Sequence, residues 1–204
     1  MNELRAVIPY SFLISLYSPV PALLALKFGW GAKGVGIVSA VSTISNLIAA
    51  LFWSRYVKMA DKHRTLVLGY LGMFASALFL PSRATLYIAS ALMSFFNTAP
   101  YYAILSIIKE KFESLSEGLK KFYAQDQLFS IIGLISGVFL TLMFQPEDLA
   151  MIIALLSLFS LSFISFISGE EGIIGVVEKG MEELEEFEAI VSKFSFRFPF
   201  IKTQ

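Results

Sequence analysis

The chain has no cysteine and a single histidine, His63, in 204 residues. Disulfides, thiolate nucleophiles and Cys-ligated metals are therefore excluded. A metal centre built on one lone histidine is disfavoured too, because zinc-type sites need several N or S ligands. There is no G-x-x-x-x-G-K-[ST] loop, so the chain holds no phosphate-cradling motor motif. Sixteen Lys and Arg balance sixteen Asp and Glu. That neutrality implies no nucleic acid or other polyelectrolyte partner. Charge is also missing locally. Six long stretches contain no Asp, Glu, Lys or Arg: residues 6–26, 34–54, 65–82, 84–108, 127–146 and 149–169.

What fills those stretches is apolar. The chain is 56% hydrophobic, with a mean hydropathy of +0.71, against roughly 45–50% apolar in soluble domains. Each stretch has about 18 to 25 residues, and a helix needs about 20 to cross some 30 Å of hydrocarbon. Within lipid every backbone N–H and C=O must be paired inside the segment, so each stretch reads as a helix. The expected fold is an all-α membrane protein: a six-transmembrane-helix bundle over residues 1–169, followed by a tail over 170–204. Arg5 and the apolar run after it have the outline of a signal peptide. That run is 21 residues long, however, beyond the 7–15 of an ordinary h-region. It also holds Tyr10, Tyr17, Pro9, Pro19 and Pro21, so we read it as a retained first span.

Of the sixteen basic residues, only Lys27, Lys33 and Arg83 fall in the loops of one side. The others lie in the alternate loops and tail, and basic loops stay cytoplasmic. Both termini are therefore expected inside, at a cell membrane. The outer connections are very short, so consecutive spans are expected to be antiparallel hairpin neighbours.

Polar residues mark faces. In the fourth span Tyr87, Ser90, Ser94, Asn97 and Tyr101 recur at spacings of three and four, which is one side of a helix. Thr98 flanks them, and Pro100 removes a backbone donor. The second span carries Ser39, Ser42, Asn46 and Ala49 on one face. The first carries Ser11, Ser15 and Ser18 beside Tyr10 and Tyr17, with Pro19 and Pro21 placed to break its outer end. Such faces turn away from lipid. Two explanations stay open for them, a wall lining a path and ordinary helix–helix hydrogen bonding. Tyr10, Tyr17, Asn46, Asn97 and Tyr101 are the candidate path residues. Gly69, Gly72, Gly133 and Gly137 are candidate close-packing positions.

The link between the second and third spans contains Ala60-Asp61-Lys62 and Arg64. Asp61 is placed to sit at a helix N-terminus, where the dipole favours a carboxylate, with basic neighbours to pair with it. Here the chain resembles the major facilitator superfamily, whose signature in this loop is Gly, three residues, Asp, then basic residues. Val57 stands at the first Gly position, and the later Gly is missing. Gly133-Leu-Ile-Ser-Gly137 falls where the family has a Gly-rich fifth helix; Val138 replaces the Pro common in antiporters, and the fourth span lacks the Arg of many proton-coupled members. The resemblance covers about residues 1–170. It implies an N-terminal six-helix half, with the first, second, fourth and fifth helices lining a cavity and the third and sixth supporting them. It implies that Asp61, Lys62 and Arg64 belong to a cytoplasmic gate. It also implies transport of a small solute by alternating access, with a second six-helix half across the site. That half would come from a homodimer or a separate chain.

No carboxylate lies within any of the six stretches. Intramembrane carboxylates are the usual proton relays, so this argues against proton coupling and favours a neutral or apolar solute. No enzyme is indicated and no cofactor is implied. Gly29-Trp-Gly31-Ala-Lys-Gly34 fits G-x-G-x-x-G, but no strand precedes it, so it reads as a turn. His63 reads as a solvated loop residue. In the tail, Val177, Met181, Leu184, Phe187 and Val191 share a helical face opposite five glutamates. A cytoplasmic amphipathic helix follows, either free or docked on the basic loops. Further alternatives remain open: a truncated or split product without transport of its own, a non-transporting scaffold or partner subunit, and a permease subunit driven by a separate ATPase through a coupling helix near Glu113–Lys121.

Overall fold

The computed structural model describes residues 7–112 and 114–168, with side chains as far as 162. Arg5 and the tail helix expected over 170–204 lie outside the described residues. Within them every element of secondary structure is an α-helix. The elements are α1 (Val7–Tyr17), α2 (Val20–Lys27), α3 (Gly31–Met59), α4 (Lys62–Phe79), α5 (Leu86–Lys111), α6 (Leu115–Met143) and α7 (Pro146–Ser168). Four apolar units are long enough to cross a membrane: Val7–Lys27, Gly31–Met59, Leu86–Lys111 and Leu115–Met143. α4 is an 18-residue helix opening on Lys62-His63-Arg64.

The first unit is divided. Pro19 has no N–H to give the preceding turn, and Pro21 sits in the first turn of α2, where a missing N–H is tolerated. α1 therefore ends at Tyr17 and α2 begins at Val20. The turn into α3 uses Gly29 at φ +77° and Gly31 at φ +59°, a region that costs a residue with a Cβ about 1–2 kcal/mol.

Helices outlast the uncharged stretches. α3 continues through Arg55 to Met59, leaving Ala60 and Asp61 as the only non-helical link to α4. α6 starts at Leu115, twelve residues before the expected span. Of the coupling-helix candidate near Glu113–Lys121, Leu115 to Lys121 are the first part of α6 rather than a separate element. His63, expected in a loop, is the second residue of α4 and half-buried, its Nδ1 without a partner.

Packing does not follow chain order. α2 against α3 and α4 against α5 are the hairpin neighbours that short loops predict. The other extensive interfaces join α3 to α5, α1 to α6 and α4 to α7, whereas α3–α4 and α6–α7 barely touch. Small residues set how closely two of these pairs approach. A Cβ at Gly69 would stand 2.5 Å from Pro100 Cδ, and one at Gly72 would enter the Phe96 ring, so α4 and α5 approach through these two positions. At Gly133 a Cβ would stand 2.7 Å from the Phe12 carbonyl oxygen, so α6 lies against the α1 backbone. Gly137 faces Leu16 at ordinary contact, 3.5 Å.

One core cluster runs through α1, α2, α4, α5 and α7 around Leu13, Leu24, Tyr70, Met73, Met93 and Ile153. A smaller one pins α3 to α5, where Trp53 Nε1 donates to the Phe95 carbonyl at 2.8 Å and Ser45 Oγ donates to the Ala91 carbonyl. By contrast, α3 exposes Ile44, Leu47, Ile48 and Leu51, and α6 exposes Leu128, Ile131, Leu134 and Ile135. An exposed apolar surface of that extent marks contact with lipid or protein.

Candidate functional site

A cavity of about 220 Å³ lies between α1, α2, α3 and α5. Exposed Ser18, Ser39 and Asn46 stand at its rim, and buried Tyr17 and Ser94 lie deeper. Ser42 and Asn97 complete the polar lining, with Ile14, Pro21, Ala22 and Val38 between them; none of these residues is charged. Ser18 reaches it because the chain breaks there between α1 and α2.

Three groups around this cavity lack a hydrogen-bond partner. They are the Tyr17 hydroxyl, Asn97 Oδ1 and, behind them, Ser90 Oγ. Tyr17 is only 7% exposed, and its hydroxyl lies among Ser42, Ser90 and Ser94 without hydrogen-bonding geometry to any of them. A buried hydroxyl left unpaired costs about 1–3 kcal/mol. A ligand that satisfied it would recover that energy. Asn46 is held differently, its Oδ1 accepting from Thr98 Oγ1 at 3.2 Å.

The stripe on α5 is thus split among three surroundings. At one end Tyr87 stacks on Trp30 at 4.6 Å between ring centroids. Ser94 and Asn97 line the cavity. At the other end Tyr101 faces Tyr10 of α1 at 6.4 Å and Phe122 of α6 at 6.0 Å. Of the five candidate path residues, Tyr17, Asn46 and Asn97 meet at the cavity, while Tyr10 and Tyr101 meet elsewhere.

That second place holds a residue the sequence reading missed. Asp126, half-buried on α6, accepts a hydrogen bond from Ser11 Oγ of α1 at 2.7 Å. It lies close enough to Tyr10 and Tyr101 to act on both electrostatically. The helix of the expected fifth span runs back past Gln127, so Asp126 stands on the continuous helix α6 and not in the loop before it. The signal was available, because no Pro or turn cluster separates Leu115 from Gln127 and nothing there ends a helix.

The residues of the loop signature sit at the α4 start. Asp61 is the N-cap of α4 in extended conformation, but its carboxylate makes no capping bond. Its carbonyl instead accepts from Thr65 N and Thr65 Oγ1 at 3.0 and 3.1 Å. Lys62 pairs with Glu110 near the end of α5 rather than with Asp61, and Arg64 is exposed. At the opposite ends of the helices, Lys27 of α2 pairs with Glu147 of α7 at 2.5 Å and reaches Gln145 at 3.2 Å. Lys27 holds the Glu147 carboxyl below the usual carboxylate range.

No curated protein and no solved structure matches the chain. The family model of the Major Facilitator Superfamily matches residues 6–198, which takes in every described helix. Apolar helices of membrane-crossing length and a match of that extent agree: this multi-pass membrane protein belongs to the major facilitator superfamily, whose members are transporters rather than enzymes.

Proposed function

We propose that the chain forms one six-helix half of a secondary transporter for a small, neutral, hydrogen-bonding solute. It works by alternating access with a second six-helix half, supplied by another copy or a separate chain. The observation that carries this reading is the cavity beside α1, α3 and α5, lined by hydroxyls and amides without a charge. Unpaired groups at Tyr17 and Asn97 favour a solute that donates and accepts hydrogen bonds over a purely apolar one. The apolar flanks of α3 and α6 are suited to packing against the other half, and the exposed rim of the cavity to meeting its opposite wall. Six spans, cytoplasmic termini and a cell-membrane address complete the reading. Asp61, Lys62 and Arg64 are assigned to the inner gate, with Lys62–Glu110 fastening α4 to α5.

Uptake into liposomes containing only this purified chain, over a panel of radiolabelled neutral solutes, tests the form of the proposal in which another copy supplies the second half. Asn97→Ala should lower uptake of the transported solute about tenfold, the worth of one hydrogen bond of about 1.4 kcal/mol. Undiminished uptake in that variant would remove the cavity assignment. A strictly monomeric species that still transports would remove the second half.

A further inference from the structure

The break between α1 and α2 brings two opposite backbone polarities to one cavity. Pro19 and Pro21 carry no N–H, so the carbonyls of Ser15 and Tyr17, four residues earlier, receive no helical bond from them. Those carbonyls belong to the negative end of α1. Across the break, α2 begins at Val20 and has eight residues. The first N–H groups of a helix have no partner inside it and make its positive end. Leu23 N reaches back to the Pro19 carbonyl at 3.0 Å, so Ala22, on the cavity wall, keeps its N–H for another acceptor. Interrupted membrane helices use such starts to hold the anionic groups of solutes. A helix start alone does not make a site, but buried side chains point to the same place. Tyr17 is 7% exposed and lines this cavity with its hydroxyl unpartnered. Asn97 brings an unpartnered Oδ1 from α5. The lining carries no charged residue, so a bare anion or cation would sit there without a counter-ion, at a heavy cost. A polyol would satisfy the hydroxyls and leave both helix ends unused. A solute with one charge of each sign uses the whole lining and stays neutral.

We propose that the cavity takes a small zwitterion of the α-amino acid type. Its carboxylate lies toward the start of α2, where the Ala22 N–H and the Tyr17 hydroxyl donate to it. Its ammonium lies toward Asn97 Oδ1 and the carbonyl end of α1. Ser42 and Ser94 serve either group, because a hydroxyl both donates and accepts. The volume of about 220 Å³ equals that of some seven waters at ~30 Å³ each. Glycine, alanine and serine are of that size. This names the solute class for the transporter reading and rests on it.

Thermal stabilisation by added ligand, measured on the full-length chain in lipid nanodiscs, reads this site without transport. A ligand at about ten times its Kd should raise Tm by about 3–6 °C for a chain of this size. At least one of glycine, L-alanine and L-serine, at tens of millimolar, should give that shift. L-Alaninamide lacks the carboxylate, propionate lacks the ammonium and glycerol lacks both, so none of the three should match it. Tyr17→Phe should raise the amino acid concentration for half-maximal stabilisation about tenfold. Asn97→Asp places a full negative charge at the ammonium end, so L-alaninamide should now stabilise the variant more than L-alanine does. No shift with any of the three amino acids overturns the proposal, as does an equal shift with glycerol or a singly charged analogue. An Asn97→Asp variant that keeps the wild-type order of ligands overturns it too. Stabilisation by an amino acid without uptake into liposomes supports the proposal and counts against the transporter reading alone. Uptake of glycerol by a chain indifferent to the amino acids overturns the proposal and leaves that reading standing.

Discussion

Replacing Gly133 by alanine adds one methyl group to the α1–α6 seam, and its cost can be worked out. The new Cβ would stand 2.7 Å from the Phe12 carbonyl oxygen and 3.0 Å from Ser15 Cβ, where ordinary contact begins near 3.4 Å. The first neighbour is backbone, so no rotamer change relieves it. The helices must separate by ~0.7 Å, and overpacking of this kind costs about 1–3 kcal/mol. The same separation would stretch the Ser11–Asp126 bond from 2.7 Å beyond the ~3.0 Å limit of a good O–H···O bond. Alanine is favoured over glycine inside a helix by about 0.5–1 kcal/mol. Gly36 on α3 supplies the control, because a Cβ there meets nothing within 4 Å. Gly36→Ala keeps the propensity gain without the collision. The two variants should therefore differ by the overpacking term alone. At about 2–4 °C per kcal/mol for a chain of this size, their Tm values should separate by about 2–12 °C. Thermal unfolding in one detergent, followed by circular dichroism, measures it. Equal Tm values would refute the close approach of α6 to the α1 backbone.

Two other predictions follow from single contacts. Tyr17→Phe removes a buried hydroxyl that has no partner, so stability should hold or rise by about 1 kcal/mol while uptake of the transported solute falls. Unchanged uptake would mean that this hydroxyl does not meet the solute. Where α2 ends and α7 begins, Lys27 keeps the Glu147 carboxyl below its ordinary value. A depressed carboxylate contributes stability that is present above its unfolded value near 4.3 and is lost as pH falls through the lower folded one. The pair is largely exposed, so this contribution should stay under about 1 kcal/mol. Glu147→Gln should flatten the acid-side loss of Tm by that amount, and a profile identical to wild type would leave the pair without energetic weight.

The helices were legible because a bilayer asks one simple thing of a sequence, an apolar run long enough to cross. Pro19 and Pro21 announced the break in the first unit, and Gly29 and Gly31 announced the turn after it, since both act locally. Asp126 was missed for a related reason. Charge was used as the boundary of each stretch, so a carboxylate one residue before Gln127 counted as loop, although nothing near it stops a helix. Which helices embrace was not legible either. Gly133 reads as a small residue, but that it receives the Phe12 carbonyl depends on shapes brought together from more than a hundred positions away. The same holds for the division of the α5 stripe. Its spacing predicts one face, yet α1 and α6 meet that face at Tyr101 while α3 meets it at Asn97.

The interruption between α1 and α2 has a mechanical consequence. α1 lies along α6, whereas α2 lies along α3, so the two sides of the Ser18–Pro19 joint are fastened to different parts of the bundle. α1 is an arm of eleven residues, ~16 Å long. A swing of about 10° at the joint would carry its far end ~3 Å, about half the pitch of a helix. Leverage of that size turns a small local bend beside the cavity into a displacement of ~2 Å at Tyr10 and Ser11, part-way along the arm.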